Sequence, residues 1–212
     1  MTLWIDNRNT HRTTLPEMIN NIPIWIIAYL LGSIPFGVLL ARVQSVDLRE
    51  HGSGNIGATN VARVLGKKAG ILTLLGDVLK GWLAVALASW VLDDPVAIAA
   101  AGLMAFCGHL FSMFLKFKGG KGVATGLGIH LYTMPMASLG AMGVFACTLW
   151  ISKYVSLSSI IAAIALPAFG IFLGVPLPYV YMSLLISVLV IFKHHENIRR
   201  ILAGTESHFL KK

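Results

Sequence analysis

Lys121 lies among three glycines in a chain whose other stretches are mostly apolar. The residues after this turn are predicted to be helical. Backbone N–H groups at a helix start attract anions, glycines let a phosphate approach the backbone, and a lysine adds positive charge. The turn therefore predicts a phosphate site formed by Gly119, Gly120, Lys121 and Gly122. The G-x-x-x-x-G-K-[ST] spacing of a P-loop is absent, so NTP hydrolysis is not predicted.

A second glycine-rich stretch, HGSGNIGATNVAR, occupies residues 51–63. Thr59 and Asn60 stand where a helix N-cap is expected, and Arg63 follows about one turn later. Free N–H groups at such a start, together with a guanidinium, suit a phosphate. The stretch predicts a second anion site, with candidates Gly52, Ser53, Gly54, Asn55, Thr59, Asn60 and Arg63.

A third polar stretch, KHHENIRR, covers residues 193–200 at the end of the last apolar run. On a continuing helix His194 and Asn197 lie at i, i+3, and Glu196 and Arg200 lie at i, i+4, so each pair shares a face. His195 points away from the first pair. The spacing makes His194 and Asn197 candidate site residues.

Each stretch also has a plainer interpretation. Residues 51–63 could form a surface turn before a helix, although such a turn seldom needs three glycines, two asparagines and an arginine. Lys116 and Lys118 could serve only to fix membrane topology. A lone histidine at a membrane exit could be ordinary interfacial polarity.

The elements that position these stretches belong to the membrane class. Of the 212 residues, 56% are apolar and only 12% are charged, and the mean hydropathy is +0.76. Soluble domains carry about 25% charged residues. The net charge of +8 lies in short clusters between apolar runs, which argues against a nucleic-acid partner. Cys107 and Cys147 lack metal-type spacing, and the sequence predicts neither metal nor cofactor.

A membrane-spanning helix needs about 20 mostly apolar residues. The sequence predicts an all-α, polytopic membrane protein of about seven such helices, in one domain over residues 22–212. Residues 1–21 are polar and predict a loosely ordered terminus rather than a cleaved signal peptide. The fourth segment is short enough to be a tilted span or a re-entrant piece. The segments are 22–43, 69–92, 96–115, 123–134, 135–151, 155–174 and 175–192.

The basic residues predict an orientation. Most of the 17 lysines and arginines lie in the first, third and fifth connections and in the C-terminal tail. The positive-inside rule then places these segments in the cytoplasm and the N-terminus outside. A six-span arrangement would put Lys153 and the tail on the side opposite the Lys121 turn, so seven spans are preferred.

Asp77 and Lys80 lie at i, i+3 inside the second predicted span. A charge near the bilayer centre costs roughly 3 kcal/mol on insertion scales, which favours pairing with an opposite charge. A proton or substrate path is the alternative. We expect a structural pair, because we expect no other ionisable group in the remaining spans to form a relay.

The three polar stretches together resemble the bacterial acyl-phosphate:glycerol-3-phosphate acyltransferases. The resemblance rests on GSGNIGATNVAR at 52–63, GHLFSMFLKFKGGKGVATGLG at 108–128 and KHHENIRRILAGTE at 193–206. AYLLGSIPFG at 28–37 and GDVLKG at 76–81 also fit. It covers the chain after residue 21, whereas the polar N-terminal extension is not part of the pattern.

The resemblance implies a seven-span enzyme of the bacterial cytoplasmic (inner) membrane, which belongs to phospholipid synthesis. Such an enzyme moves a fatty acyl group from acyl phosphate to the 1-hydroxyl of glycerol 3-phosphate, giving lysophosphatidic acid and phosphate. It also implies phosphate-binding roles for Ser53, Arg63, Lys121, His194 and Asn197, with the glycines around Lys121 as the glycerol-phosphate loop. No histidine is followed by four residues and an aspartate, the CoA-type acyltransferase pattern.

The chemistry of that reaction suits these residues. Acyl phosphate is already activated, so the site must chiefly hold two anions and an acyl chain together. The attacking hydroxyl could lose its proton to His194 or to a substrate phosphate. A transporter of a phosphorylated solute would need a midplane site and internal repeats, which we do not find. A purely structural binder of anionic lipid would not need the glycine turns.

Overall fold

A computed structural model describes residues 15–209, with side chains from residue 19 onward, and every regular element in that range is a helix. The α-helices alternate with short connections, apart from the longer loops before α3 and before α6. They are α1 (Leu15–Ser33), α2 (Phe36–Val43), α3 (Ala58–Leu65), α4 (Lys67–Val91), α5 (Pro95–Leu110), α6 (Val123–Thr133), α7 (Pro135–Ser152), α8 (Val155–Phe172), α9 (Leu177–Lys193) and α10 (His195–Leu202), with a 3₁₀ turn at Met113–Leu115.

Five stretches of helix within the described residues are long and apolar enough to cross a membrane. A sixth candidate consists of α9 and α10, which meet at a bend of 55°. The predicted all-helical fold with several apolar spans is confirmed, whereas the count of seven stays a prediction. The five stretches of the first group are Ile19–Val43, Lys67–Val91, Pro95–Leu115, Pro135–Ser152 and Val155–Phe172.

The fourth predicted segment is the short helix α6. Its 11 residues extend about 16 Å at the α-helical rise, roughly half the hydrocarbon thickness of a bilayer. The chain continues into α7 at Pro135, which stands at the first position of that helix. Proline is favoured there because its missing N–H has no helical partner.

The N-terminal boundary differs from the prediction. Helix α1 begins at Leu15, so residues 15–21 are helical rather than loosely ordered. The rest of the predicted terminus lies outside the described residues. The first span also breaks at Ile34–Pro35 before α2 resumes at Phe36, since the residue before a proline avoids helical geometry.

The bundle packs α1 against α5, α4 against α6, and α7 against α8. At the α4–α6 contact, a Cβ on Gly128 would overlap the Val78 carbonyl, and one on Gly81 would overlap the Thr125 carbonyl. Small residues let helix backbones approach closely in a membrane protein. The close contact fixes α6, and therefore the turn that carries Lys121, against the long helix α4.

The predicted pair of Asp77 and Lys80 forms, with 2.7 Å between Asp77 Oδ1 and Lys80 Nζ. The ammonium also donates to the Ile34 carbonyl at 2.7 Å, at the break between α1 and α2. The expectation that no other ionisable group accompanies the pair is wrong. His109 of α5 places Nδ1 at 3.7 Å from Asp77 Oδ1, and His130 is buried in α6.

Candidate active site

The first loop, residues 44–57 between α2 and α3, is organised by Asn60. This side chain is 2% exposed, and its Oδ1 accepts from the Ser53 N–H at 2.8 Å. Its Nδ2 donates to the carbonyls of Asn55 and His51 at 2.8 and 3.1 Å. Because its amide is bonded to the loop backbone, Asn60 shapes the loop from within.

The predicted helix N-cap in this loop is wrong. Gly57 is the N-cap of α3 and makes no side-chain cap, while Thr59 and Asn60 lie inside the first turn. The side chain that bonds the backbone before the helix is Asn55, whose Oδ1 accepts from the Gly57 N–H at 2.8 Å. The sequence predicted Thr59 and Asn60 as N-caps because both residue types are common at that position. In the structure the Asn60 side chain bonds the loop backbone instead.

Ser53 and Arg63 lie on the exposed side of this loop. Gly52 and Gly54 adopt left-handed φ angles of 62° and 70°. A Cβ on Gly52 would overlap Asn60 Oδ1, so glycine lets the Asn60 amide approach the loop backbone, and the Arg63 stem lies next to it. Among the described residues the Arg63 guanidinium has no hydrogen-bond partner, which leaves its donors available to an anion.

The second loop, residues 111–122, folds back along the end of α5. The Gly119 N–H donates to the Leu110 carbonyl at 3.1 Å, and the Gly120 N–H donates to the His109 carbonyl at 3.2 Å. Gly122 is the N-cap of α6 with a φ of 82°. The predicted helix start directly after the glycines is confirmed, and Lys121 stands immediately before it.

The third stretch does not continue the last helix as predicted. α9 ends at Lys193, α10 begins at His195, and the chain bends by 55° between them. His194 sits at the bend and is buried, with Nδ1 2.8 Å from the Val190 carbonyl. A carbonyl only accepts, so Nδ1 carries the hydrogen. His195 is exposed.

Lys121 and Asn197 meet directly. Lys121 Nζ donates to Asn197 Oδ1, and Asn197 Nδ2 donates to Glu206 Oε1 at 2.6 Å. Glu206 also accepts from Ser156 Oγ at 2.7 Å and from Arg200 Nε at 2.7 Å. The second loop, the start of α8, α10 and the segment after it therefore share one hydrogen-bonded cluster.

Sequence reasoning missed Glu206 and Ser156. Glu206 closes the motif KHHENIRRILAGTE, so its position was a usable signal, whereas nothing distinguished Ser156 among the serines of α8. Glu196 and Arg200 were predicted to share a helix face, and they do, at 4.0 Å with Glu196 68% exposed, but Arg200 makes its shorter contact with Glu206. Glu206 lies after α10, where helical spacing gives no guidance.

The cluster alters the pKa of two groups outside the spans. Burial, and secondarily the Arg200 cation, lower the pKa of Lys121 to about 8. Burial tends to raise the pKa of Glu206, but hydrogen bonds from Ser156, Asn197 and Arg200 outweigh it and hold the pKa below its usual value. Glu206 is therefore an anion at neutral pH, and Lys121 is a cation close to its titration point.

The first and second loops also touch. Arg49 Nη2 donates to the Lys118 carbonyl at 3.1 Å, and a Cβ on Gly120 would lie 3.3 Å from Ile56 Cγ1. Together with the contact between Lys121 and Asn197, this joins all three predicted stretches at one end of the bundle. The described residues hold no cluster of His, Cys, Asp or Glu that fits a metal ion.

The fold is that of an integral membrane protein, a helical bundle that carries two glycine loops, an exposed arginine and a half-buried lysine at one end. Residues 22–204 match the family model of Glycerol-3-phosphate acyltransferase. The chain belongs to this family.

The comparisons extend over nearly the full length of the relatives. A Glycerol-3-phosphate acyltransferase of Geotalea daltonii is 50% identical over 192 residues, 91% of this chain and 99% of the relative. A crystal structure of PlsY (YgiH), an integral membrane glycerol 3-phosphate acyltransferase in the glycerol 3-phosphate form, has a TM-score of 0.85 at 42% identity, covering 89% and 95% of the two chains. The lysophosphatidic acid form has a TM-score of 0.82 with the same identity and coverage.

Proposed function

We propose that this chain transfers a fatty acyl group from acyl phosphate to the 1-hydroxyl of glycerol 3-phosphate, giving lysophosphatidic acid and inorganic phosphate. This is the first acylation of phospholipid synthesis. The family membership supports the acceptor and the acyl transfer. The observation that carries the proposal is the contact of Lys121 with Asn197, because it fixes a lysine at a glycine-lined helix start, where a phosphate binds well.

The site residues have distinct roles in this proposal. The glycine turn of residues 119–122 and Lys121 bind the glycerol 3-phosphate, with Asn197 and His194 beside them. Arg63 binds the phosphate of the donor bidentately. Ser53, Asn55, Thr59 and Asn60, with Gly52 and Gly54, shape the first loop around the same group.

The reaction is a single displacement. The glycerol hydroxyl oxygen bonds to the acyl carbon, the bond from that carbon to the phosphate oxygen breaks, and phosphate leaves. The hydroxyl proton goes to His194 or to a substrate phosphate. Since His194 Nδ1 carries its hydrogen, Nε2 of the neutral ring is an acceptor. Catalysis then depends mainly on positioning two anions, which can lower a barrier by several kcal/mol.

The protein lies in the bacterial inner membrane with the site in the cytoplasm. The positive-inside rule supports this orientation. Seven spans place the third connection, the start of α8 and the C-terminal segment on the same side of the membrane. The cluster of Lys121, Ser156 and Glu206 supports this count, because it joins these three segments at one end of the bundle. In a six-span arrangement the third connection would lie opposite the other two.

The proposal is tested with purified protein in detergent micelles. Acyl phosphate and glycerol 3-phosphate are supplied together, and release of inorganic phosphate is followed alongside lysophosphatidic acid by mass spectrometry. We expect both products in equal amounts, and none from acyl-CoA in place of acyl phosphate. Phosphate release that does not depend on glycerol 3-phosphate would indicate a hydrolase and contradict the proposal.

A further inference from the structure

The turn before Lys121 rests on the ring of a buried histidine. His109 is 5% exposed at the end of α5. A Cβ built on Gly120 would lie 2.5 Å from His109 Nε2, so the glycine backbone lies directly on the ring edge. The turn also donates to the His109 carbonyl through the Gly120 N–H at 3.2 Å. Both the ring and the backbone of one residue therefore support the turn.

The ring itself is hydrogen-bonded to α6 and lies beside a carboxylate of α4. Thr125 of α6 places Oγ1 at 3.1 Å from His109 Nδ1, and Asp77 of α4 places Oδ1 at 3.7 Å from the same nitrogen. Asp77 is paired with Lys80 at 2.7 Å. Thr125 is fully buried. The polar groups that sequence analysis assigned to a structural pair therefore continue, through His109, to the glycine turn.

We propose that His109 is a positioning residue, which holds the turn of residues 119–120 so that Lys121 reaches Asn197 and the phosphate of glycerol 3-phosphate. Thr125 fixes the ring that does so through a hydrogen bond, and Asp77 lies beside the same nitrogen. The inference rests on the proposed function, since it takes Lys121 as a ligand of that phosphate. According to this inference, His109 determines the affinity for glycerol 3-phosphate although it is buried and does not contact the substrate.

Two variants test this inference. His109→Ala removes the support, and Thr125→Val removes the ring's hydroxyl partner while keeping side-chain volume. Thr125→Ser restores that hydroxyl. Ser138→Ala is the matched control, because Ser138 is an equally buried hydroxyl that bonds the Met134 carbonyl in α7, away from the site.

Two readouts are needed. We expect the KM for glycerol 3-phosphate to rise about tenfold in His109→Ala and severalfold in Thr125→Val, with the KM for acyl phosphate and kcat within about twofold of the original. Amide hydrogen exchange over residues 116–122 should accelerate in both variants. Thr125→Ser and Ser138→Ala should leave both readouts unchanged.

The outcomes separate the two proposals. Unchanged exchange over residues 116–122 in both variants overturns the inference, as does faster exchange with an unchanged KM for glycerol 3-phosphate. Equal rises in the KM of both substrates, or a loss of kcat alone, also overturn it. If the unmodified protein releases no phosphate, the proposed function fails, while the exchange measurement still decides whether His109 holds the turn.

Discussion

Lys121 Nζ donates a hydrogen bond to Asn197 Oδ1, across a separation of 76 residues. This contact closes the site, because it joins the turn before α6 to the helix after the bend at His194. The same Asn197 side chain donates to Glu206, so a substitution of Lys121, Asn197 or Glu206 affects the contacts of the other two residues. The lysine is thereby held at one position rather than left free to sample the surface, which lowers the entropy cost of binding an anion.

Arg63 should depend on the shape of its guanidinium as well as its charge. We expect Arg63→Ala to lower kcat/KM by about 100-fold and Arg63→Lys by about tenfold, because an ammonium cannot form two parallel bonds to a phosphate. The kcat/KM of each variant is measured from steady-state phosphate release. Arg199→Lys is the matched control, since Arg199 is exposed on α10 and lies outside the cluster. Near-normal turnover for Arg63→Lys would show that only charge matters.

The affinity for glycerol 3-phosphate should fall as the pH rises through about 8. Because the pKa of Lys121 in the free protein is lowered to about 8, the cation that binds phosphate is lost above that pH. The substrate phosphate is already fully ionised there, since its second pKa is about 6. The KM for glycerol 3-phosphate should then rise roughly tenfold per pH unit above 8.

Lys121→Arg provides the control for this pH dependence. Arginine keeps its charge throughout the range, so the variant should show a flat KM between pH 7 and 9.5, whatever its absolute activity. An equal rise of KM in Lys121→Arg would assign the titration to another group. Circular dichroism at each pH verifies that the fold is intact.

For the candidate site, the sequence pointed to residue types that are unusual in an apolar chain and missed ordinary residues whose contacts appear only in the structure. Glycines beside a lysine or an arginine, inside an apolar chain, are informative because few other roles require them. Ser156 and Thr125 are common residues in apolar helices, and only the three-dimensional contacts with Glu206 and His109 distinguish them.

The bend at His194 was missed because KHHENIRR contains neither glycine nor proline, so local sequence favoured a continuing helix. Apart from the start of α1 at Leu15, the predicted apolar segments begin within about two residues of the helices that contain them, since an apolar run is directly visible in the sequence. The length of α6 was predicted too, but not its close packing on α4 through Gly81 and Gly128. Such backbone contacts depend on residues far apart in the chain.

Glu206 should be required for the stability of the cluster. Glu206→Ala leaves Asn197 Nδ2, Ser156 Oγ and Arg200 Nε without their acceptor, and each lost bond of this kind costs roughly 1–3 kcal/mol. We expect a lower midpoint of thermal unfolding and a strong loss of activity. Ser156→Ala removes one partner only and should cost less. A Glu206→Ala protein with an unchanged midpoint would contradict the role assigned to the cluster.

Labelling of introduced cysteines tests the predicted topology. In a background with Cys107→Ala and Cys147→Ala, single cysteines replace the exposed residues Asp93, Lys118 and Lys153. An impermeant thiol reagent added to intact cells should label position 93 only, and positions 118 and 153 only after the membrane is opened. Position 153 is decisive, because a six-span arrangement would label it together with position 93. Lys212 was predicted to lie on the same side as Arg63 and Lys121, but it falls outside the described residues.

The reaction should proceed without an acyl-enzyme. Acyl phosphate is already activated, so a second covalent step gains little. Among the described residues, the Ser53 hydroxyl has no hydrogen-bonded base behind it, and the Ser53 contact in the loop is made by its backbone N–H to Asn60. Protein incubated with radiolabelled acyl phosphate, without glycerol 3-phosphate, should carry no label after denaturation.

The competing mechanism makes Ser53 a nucleophile activated by His194, and it gives a different result in the same experiment. It predicts about one label per chain, lost in Ser53→Ala, together with ping-pong kinetics and a burst of phosphate. Direct transfer predicts intersecting initial-rate patterns and a Ser53→Ala protein with reduced but measurable turnover, because the loop geometry fixed by Asn60 remains. Stoichiometric label that disappears in Ser53→Ala would rule out the single displacement.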